Sequence, residues 1–463
     1  MGSDKVKYPL EDGTVYSQRK GFCPFSTPPL EEYVPVFGEG RVQAIRDAAA
    51  KLKGLRLLEL NATARGGGVA EMLFSSIPFL NSLGLDVEWK VIRGPEEYYE
   101  CTKGLHNLLQ GMKGSFTPEM KQCYVGNMEA FAAANVLDND HDAVLVHDPQ
   151  PMGLVQYLRK PNQVWLWKCH IDIEETALRS NPTLWDFIMD QTTYYDAAIF
   201  TAAHYIVSCW LLPKFVIPPF IDPLSEKNRE LSQEQVEKVL AKYHIDAKEP
   251  IIAQIGRYDR WKGIDRTIAT YREVRKEKKC QLVLAGGLAG DDPEGAEVLA
   301  QVRDWAKGDD DIHVLLLPMD DRLENWREVN ALQRAASVIM QPSIREGFGL
   351  TITEALWKRK PVIASDVGAI SLQVKDGDTG FFFRTPSGSA GTIIRLLEKP
   401  ELARRIGEKG RRYVEEHFLI LDRILDYLMA VNLVVSGALK DESCRQCIVS
   451  FHPWYKLSKR EKI

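Results

Sequence analysis

The stretch Ser343-Ile-Arg-Glu346-Gly-Phe-Gly-Leu-Thr-Ile-Thr-Glu354-Ala-Leu-Trp357 sets two carboxylates eight positions apart around a pair of glycines. An apolar run ends near Gln341, Gly347 and Gly349 permit a tight turn with exposed backbone, and the pattern predicts a helix beginning near Thr351. The amides of Gly347, Phe348, Gly349 and Leu350 at such a helix start suit a phosphate, because both the N–H groups and the helix dipole favour negative charge. The spacing puts Glu346 on the loop and Glu354 in the first helical turn. Carboxylates accept hydrogen bonds from neighbouring hydroxyls, and a nucleotide sugar carries such hydroxyls on both its hexose and its ribose. Taken alone, the pair also fits a plainer account, with Glu354 complementing the dipole and Glu346 solvated on the loop.

A basic pair tips the balance. In Gln254-Ile-Gly-Arg257-Tyr-Asp-Arg-Trp-Lys262-Gly263 an apolar run ends at a glycine and is followed by an Arg and a Lys five residues apart. Both project from the C-terminal edge of the same sheet as the glutamates, where they can neutralise a diphosphate. In the first half of the chain, Arg65-Gly-Gly67-Gly68-Val69 falls between a strand and a helix, where three successive glycines can serve the turn alone or a ligand as well. His147-Asp148-Pro-Gln150 and Lys168-Cys-His170-Ile-Asp172 each follow an apolar run, so their polar groups emerge at a sheet edge, where they could bind hydroxyls. A lone His at a strand end is more often structural; the repetition of strand-end placement is what raises His170.

The elements that must carry these residues alternate regularly. A helix around Arg41 to Lys53 leads into the apolar run Leu55 to Leu60, a glycine turn and a helix from Val69 to Leu83; further strands are expected at Val87–Ile92, Ala143–Val146, Val164–Trp167, Ala197–Phe200 and Phe215–Ile217. Continuous apolar strands separated by helices imply a parallel sheet covered on both faces. Ile217-Pro-Pro-Phe-Ile-Asp-Pro223 interrupts the rhythm with three prolines in seven positions and reads as an interdomain link. After a helix at Gln233–Lys242 the alternation restarts at Ile251–Ile255, Leu282–Ala285, His313–Leu317, Ser337–Gln341, Val362–Ala364 and Gly380–Phe383. The expected organisation is therefore an N-terminal extension (1–38), two Rossmann-like α/β domains (39–216 and 217–418) facing a cleft, and a C-terminal helix from Ile420 to Val435 with a tail (419–463) that could pack on either domain, including back on the first.

Composition narrows the partners. A length of 463 residues suggests two domains, and 45% hydrophobic content can fill both cores. The formal charge of -5 gives no general attraction for nucleic acid or an anionic membrane. No apolar run approaches the roughly 20 residues of a membrane span, and the N-terminus lacks the apolar core of a signal peptide, so a cytoplasmic location is expected. Eight scattered cysteines read as free thiols. Cys444-Arg-Gln-Cys447 has chelating or redox spacing, but no further ligand pair follows nearby, and two ordinary thiols are the preferred reading. No metal site is assigned.

The glutamate and basic passages resemble the donor site of the retaining glycosyltransferases of family 4, whose signature is a Glu, seven residues and a second Glu. The likeness spans about Val36 to Ile420, and the runs GEGRV, GGGVAE, EWKVIRG, VLVHDPQP, CHID, IDPLSEKN, DDPEG and SIREGFGLT are together similar to the trehalose glycosyltransferring synthases. The resemblance implies the two-domain GT-B fold. It implies that Glu346 holds the transferred glucose beside the amides of Gly347, Phe348 and Gly349, that Glu354 holds the ribose, and that Arg257 and Lys262 take the diphosphate, with Gly67 and Gly68 also near the donor. By the same analogy His170 touches the donor sugar or the reaction centre, while Arg65, His147, Asp148, Gln150, Lys168 and Asp172 meet the acceptor; Lys168 stands where an Arg is expected. Transfer would be retaining, reversible front-face substitution from nucleotide-glucose to free glucose, with no obligatory cofactor and with Mg2+ compatible only as a companion of the nucleotide. A retaining trehalose phosphorylase is the nearest rival, followed by a sucrose- or glycolipid-forming transferase and a nonenzymatic nucleotide-sugar sensor. A homodimer is compatible with the sequence, which fixes neither oligomeric state nor the donor base.

Overall fold

The computed structural model describes residues 9–65, 67–134, 140–207, 210–288, 294–441, 444 and 447–451. Gly66 of the glycine turn, Arg445 and Gln446 of the cysteine motif, and the first three residues of DDPEG lie outside the described residues. The chain forms two compact units, one built from Met1–Pro219 together with Leu421–Ile463 and the other from Phe220–Ile420. It passes from the first to the second within the proline-rich stretch and returns after the second is complete.

The first unit contains β1 (Thr14–Tyr16), β2 (Arg56–Asn61), β3 (Asp86–Val91), β4 (Ala143–His147), β5 (Val164–Cys169), β6 (Ala197–Phe200) and β7 (Lys214–Val216). The second contains β8 (Ile251–Ile255), β9 (Gln281–Gly286), β10 (Ile312–Leu316), β11 (Val338–Gln341), β12 (Val362–Ala364) and β13 (Phe381–Phe382), and a last strand, β14 (Ile448–Val449), returns to the first sheet. The sheet orders are β1-β3-β2-β4-β5-β6-β7-β14 and β10-β9-β8-β11-β12-β13. Among the described strands, all pairings are parallel except β1 with β3. Every residue of β4, β8 and β9 is buried, as a sheet with helices on both faces requires. The second order is that of the doubly wound dinucleotide-binding sheet.

Those orders fix where side chains can meet a ligand. In an open parallel sheet the crevice lies beyond the carboxyl ends of the strands, where the winding reverses. The reversal falls between β2 and β4 in the first unit and between β8 and β11 in the second.

Two elements depart from the expectation. The segment expected as an overlying extension contributes β1, which pairs antiparallel with β3, and it is tied down by Arg19, whose guanidinium meets Asp86 at 3.2 Å, Glu88 at 3.2 Å and Asp140 at 2.6 Å. In the tail, β14 adds a parallel edge beside β7. Strands this short carry no readable alternation, so only their pairing reveals them. The helix Ile420–Val435 brings buried Ile424, Tyr427, Leu428 and Val431 to the first unit. Among the described helices none is long and apolar enough to cross a membrane.

Candidate functional site

In the second unit the loops after β8 and β11 are clamped together. Ile344 N donates to Trp261 O at 2.7 Å, and the Gln254 side chain donates to Lys262 O at 2.8 Å. Gly263 caps the next helix, Ile264–Arg275, in the left-handed region (φ 61°), and a Cβ there would stand 2.3 Å from Pro342 O. Only glycine lets the loops close to this distance.

The clamp brings the two sequence motifs into contact. Lys262 Nζ donates to Glu346 Oε2 at 2.6 Å, and the same oxygen lies 3.2 Å from both Ser343 Oγ and Gln341 Nε2. Ser343 and Gln341 flank the motif, and sequence reasoning gave them no role. Gly349 (φ 84°) caps the helix Leu350–Trp357, so the amides of Gly347 to Leu350 run into the start of that helix. Phe348 is buried against Phe418, and its carbonyl accepts from Gln373. Arg257 stands at the C-terminal end of β8, about one-third exposed, 3.5 Å from Asp259. It lines a small hollow with Gln254, Gly256, Lys262 and Gln341.

Glu354 departs from its expected position. It is the fifth residue of its helix and so lies in the second turn, and its side chain is buried. Lys227 Nζ reaches Oε1 at 3.0 Å and Gln333 donates to Oε2 at 3.0 Å. Burial would raise this carboxyl, but Lys227 and Lys358 with the Gln333 hydrogen bond more than offset it, holding the group below the usual carboxylate range. Lys358, itself buried and bonded to Asn228, is pushed well down by desolvation despite the attraction of Glu354. The plain account of Glu354 as a dipole partner in the first turn therefore fails.

The first unit gathers its polar groups at the β2/β4 reversal. His147 ends β4, with Nε2 2.6 Å from Glu59 Oε2 and Nδ1 3.0 Å from His170 Nε2; the two ring planes lie 12° from parallel with centroids 5.3 Å apart. Glu59 sits on β2, and its other oxygen accepts from Tyr427 Oη at 2.7 Å. Asp148 adopts a left-handed backbone (φ 62°) and accepts from the His170 amide at 2.7 Å. That pose is uncommon outside Gly, Asn and Asp, and the hydrogen bond helps to hold it. Lys168, on β5, is buried with its ammonium 5.9 Å from the Tyr427 ring centre. Burial lowers the pKa of Lys168, while Glu59 and Asp148 partly restore it.

The sequence expects His147 among the acceptor-binding groups. Both ring nitrogens are already taken, by Glu59 and by His170, so it stands behind His170. His170 is different: its Nδ1 is buried and has no partner among the described residues. Gln150 likewise has a buried Oε1 without a partner among them, and its carbonyl accepts from Tyr98. Asp172 is buried after β5, while Arg65 is exposed and hydrogen-bonded through its backbone to Thr63. Gly67 caps the helix Gly68–Ser82 that follows β2. Glu59 and Tyr427 were missed by sequence reasoning. The one available signal was an acid inside the apolar run Leu55 to Leu60; Tyr427 gave none.

Residues 59–207 match a family model described as trehalose synthase, N-terminal domain, and residues 235–413 match glycosyl transferases group 1. The trehalose synthase of Pyrococcus horikoshii is 41% identical over 406 residues, covering 87% of this chain and 96% of its own. That of Rubrobacter xylanophilus is 37% identical, with 84% and 93% covered. The trehalose phosphorylase of Pleurotus pulmonarius is 27% identical, and the match takes in 84% of this chain but only 58% of that protein. Among solved structures, sucrose-phosphate synthase from Thermosynechococcus elongatus superposes with a TM-score of 0.59 at 20% identity, covering 81% of this chain and 98% of that one. An E. coli trehalose-6-phosphate protein bound with UDP-2-fluoro glucose does so with a TM-score of 0.59 at 15% identity, covering 85% and 99%. At such identities these two structures speak for the fold alone.

Proposed function

Because the chain belongs to the trehalose synthase family of GT-B glycosyltransferases, we propose that it forms trehalose by moving glucose from a nucleotide-glucose donor onto free glucose with retention at the anomeric carbon. The observation that carries this reading is the Lys262–Glu346 pair beside Arg257, at the strand-order reversal and next to the amides that start a helix. A hydroxyl-binding carboxylate and two cations for a diphosphate there match the two chemistries of a sugar diphosphate.

In the proposed reaction the bond from the anomeric carbon to the diphosphate breaks while a glucose hydroxyl forms its bond on the same face. The departing phosphate oxygen takes that hydroxyl's proton. Arg257 and Lys262 stabilise the charge that builds on the diphosphate, and Glu346 holds the sugar hydroxyls once Lys262 turns to phosphate. Glu354 acts on the ribose together with Lys227, the more exposed member of that pair. His170 faces the transferred sugar, and Arg65, Asp148, Gln150, Lys168 and Asp172 serve the acceptor. Two cations suffice for the leaving group without an obligatory metal, and Mg2+ enters only with the nucleotide. The substrates are thus nucleotide-glucose, glucose and trehalose, and the reaction runs in both directions.

Separate incubations with UDP-, ADP- and GDP-glucose plus glucose, with trehalose quantified, test the reading and identify the base. Trehalose formation with at least one donor supports it. Trehalose cleavage with inorganic phosphate alone, and no synthesis from any nucleotide donor, would replace it with a phosphorylase.

A further inference from the structure

The buried row Tyr427–Glu59–His147–His170 has one polarity. A carboxylate only accepts, so at 2.6 Å His147 must carry its proton on Nε2, facing Glu59 Oε2. Tyr427 donates to the other oxygen at 2.7 Å, which fixes the carboxylate rotamer. A neutral His147 then has a bare Nδ1, and this atom lies 3.0 Å from His170 Nε2, which must be the donor. The last atom of the row, His170 Nδ1, is left as a bare acceptor, buried and with no partner among the described residues.

We propose that Glu59, acting through His147 and held by Tyr427, is a positioning residue that locks His170 in the Nε2–H tautomer, so that His170 Nδ1 offers its lone pair to a hydroxyl of the sugar. The identity of that hydroxyl's owner rests on the glucosyl-transfer reading; the proton arrangement does not. The orientation logic is that of a histidine whose far nitrogen is fixed by a carboxylate, extended here by one ring. The surroundings support singly protonated rings. Burial lowers the pKa of both, Lys168 lowers each further, and His147 lowers His170 again, against the opposing pull of Glu59 on His147. A doubly protonated His147 would donate from Nδ1 and force the proton of His170 onto its Nδ1, abolishing the acceptor.

The full-length protein labelled with 15N-histidine, without substrate at neutral pH, tests the arrangement directly, with His147→Asn and His170→Asn spectra supplying the assignments. The expected result is a pyrrole-type Nε2 and a pyridine-type Nδ1 on both rings. In Glu59→Gln the amide nitrogen is turned toward His147, because Tyr427 keeps the oxygen, and both tautomers should invert. The same variant should lose about 10- to 100-fold in kcat, the scale on which a metal-bound histidine responds to loss of the carboxylate behind it, with the KM for donor changed far less. Glu59→Asp should regain part of the rate and the wild-type tautomers. A proton on Nδ1 of His170 in the wild type overturns the proposal, as does a Glu59→Gln protein that keeps its tautomers and its kcat. Failure of the glucosyl-transfer reading would instead appear as no trehalose from the wild type, with the ring assignments intact.

Discussion

Lys262 and Glu346 cancel each other's charge at 2.6 Å, each with little solvent contact. Glu346→Ala should lower kcat by at least about 100-fold, on the scale of removing a group aimed at the reacting centre; it also strands Lys262, so the unfolding midpoint should drop while unfolding stays cooperative. Near-normal turnover would dismiss Glu346 from the donor site. Glu354 requires a different variant, because Glu354→Ala strands Lys227 and the buried Lys358 without their carboxylate and should cost about 3–5 kcal/mol of stability. Glu354→Gln keeps the shape, so its effect on donor affinity is the clean measurement; an unchanged affinity removes the ribose role. The histidines set the pH response. Burial holds both below their unfolded value, so in acid the unfolded chain binds protons that the folded chain refuses, and stability falls as pH drops below about 6.5, by roughly 1.4 kcal/mol for each pH unit by which a ring is depressed. Urea midpoints between pH 7.5 and 5 should fall in the wild type and fall less in His170→Asn. At this scale the sequence exposed residues gathered by a local motif, such as Glu346 with its glycines. It hid Lys227, Gln333 and Glu59, whose partners come from distant strands and helices, and it did not show that Glu59 and His170 engage both nitrogens of His147.

Elements were far more legible than contacts. All twelve strands expected from apolar runs are present, because in a sheet covered on both faces each strand must be a continuous apolar segment, and the prolines and glycines punctuate the connections. The helices Gln233–Lys242 and Ile420–Val435 occupy their expected ranges. β1 and β14 escaped because three and two residues carry no period. Glycines separate into two kinds at this scale. Gly263 closes the β8 and β11 loops with φ 61° and no room for a Cβ, whereas Gly126 lies in the helix Pro118–Ala134 with nothing within 4 Å of where a Cβ would stand. Gly263→Ala should therefore destabilise by about 2 kcal/mol or more and open the loops after β8 and β11. Gly126→Ala should stabilise by about 0.5–1 kcal/mol. Denaturant midpoints with opposite signs would bear out this division, and a neutral Gly263→Ala would break it.

At the scale of the whole molecule, the first unit is discontinuous. The chain leaves it at Pro219, builds the second unit from Phe220 to Ile420 and then returns. An apolar helix announces that it must be buried without saying against what, so the sequence left the address of Ile420–Val435 open. Its return carries Tyr427 to Glu59 and adds buried Leu421, Ile424, Leu428 and Val431. Burying four such side chains is worth roughly 6–12 kcal/mol, comparable with the whole stability of about 5–15 kcal/mol expected of a domain. The second unit needs none of these residues to complete its parallel sheet. A chain ending at Ile420 should therefore lose the first unit as a cooperative structure and retain the second. Limited proteolysis with mass analysis should then leave a resistant fragment close to 220–420, with the segment 9–219 digested. Survival of a resistant N-terminal fragment would show that the returning helix is an accessory to the first unit and that Tyr427 orients Glu59 in a scaffold already complete without it.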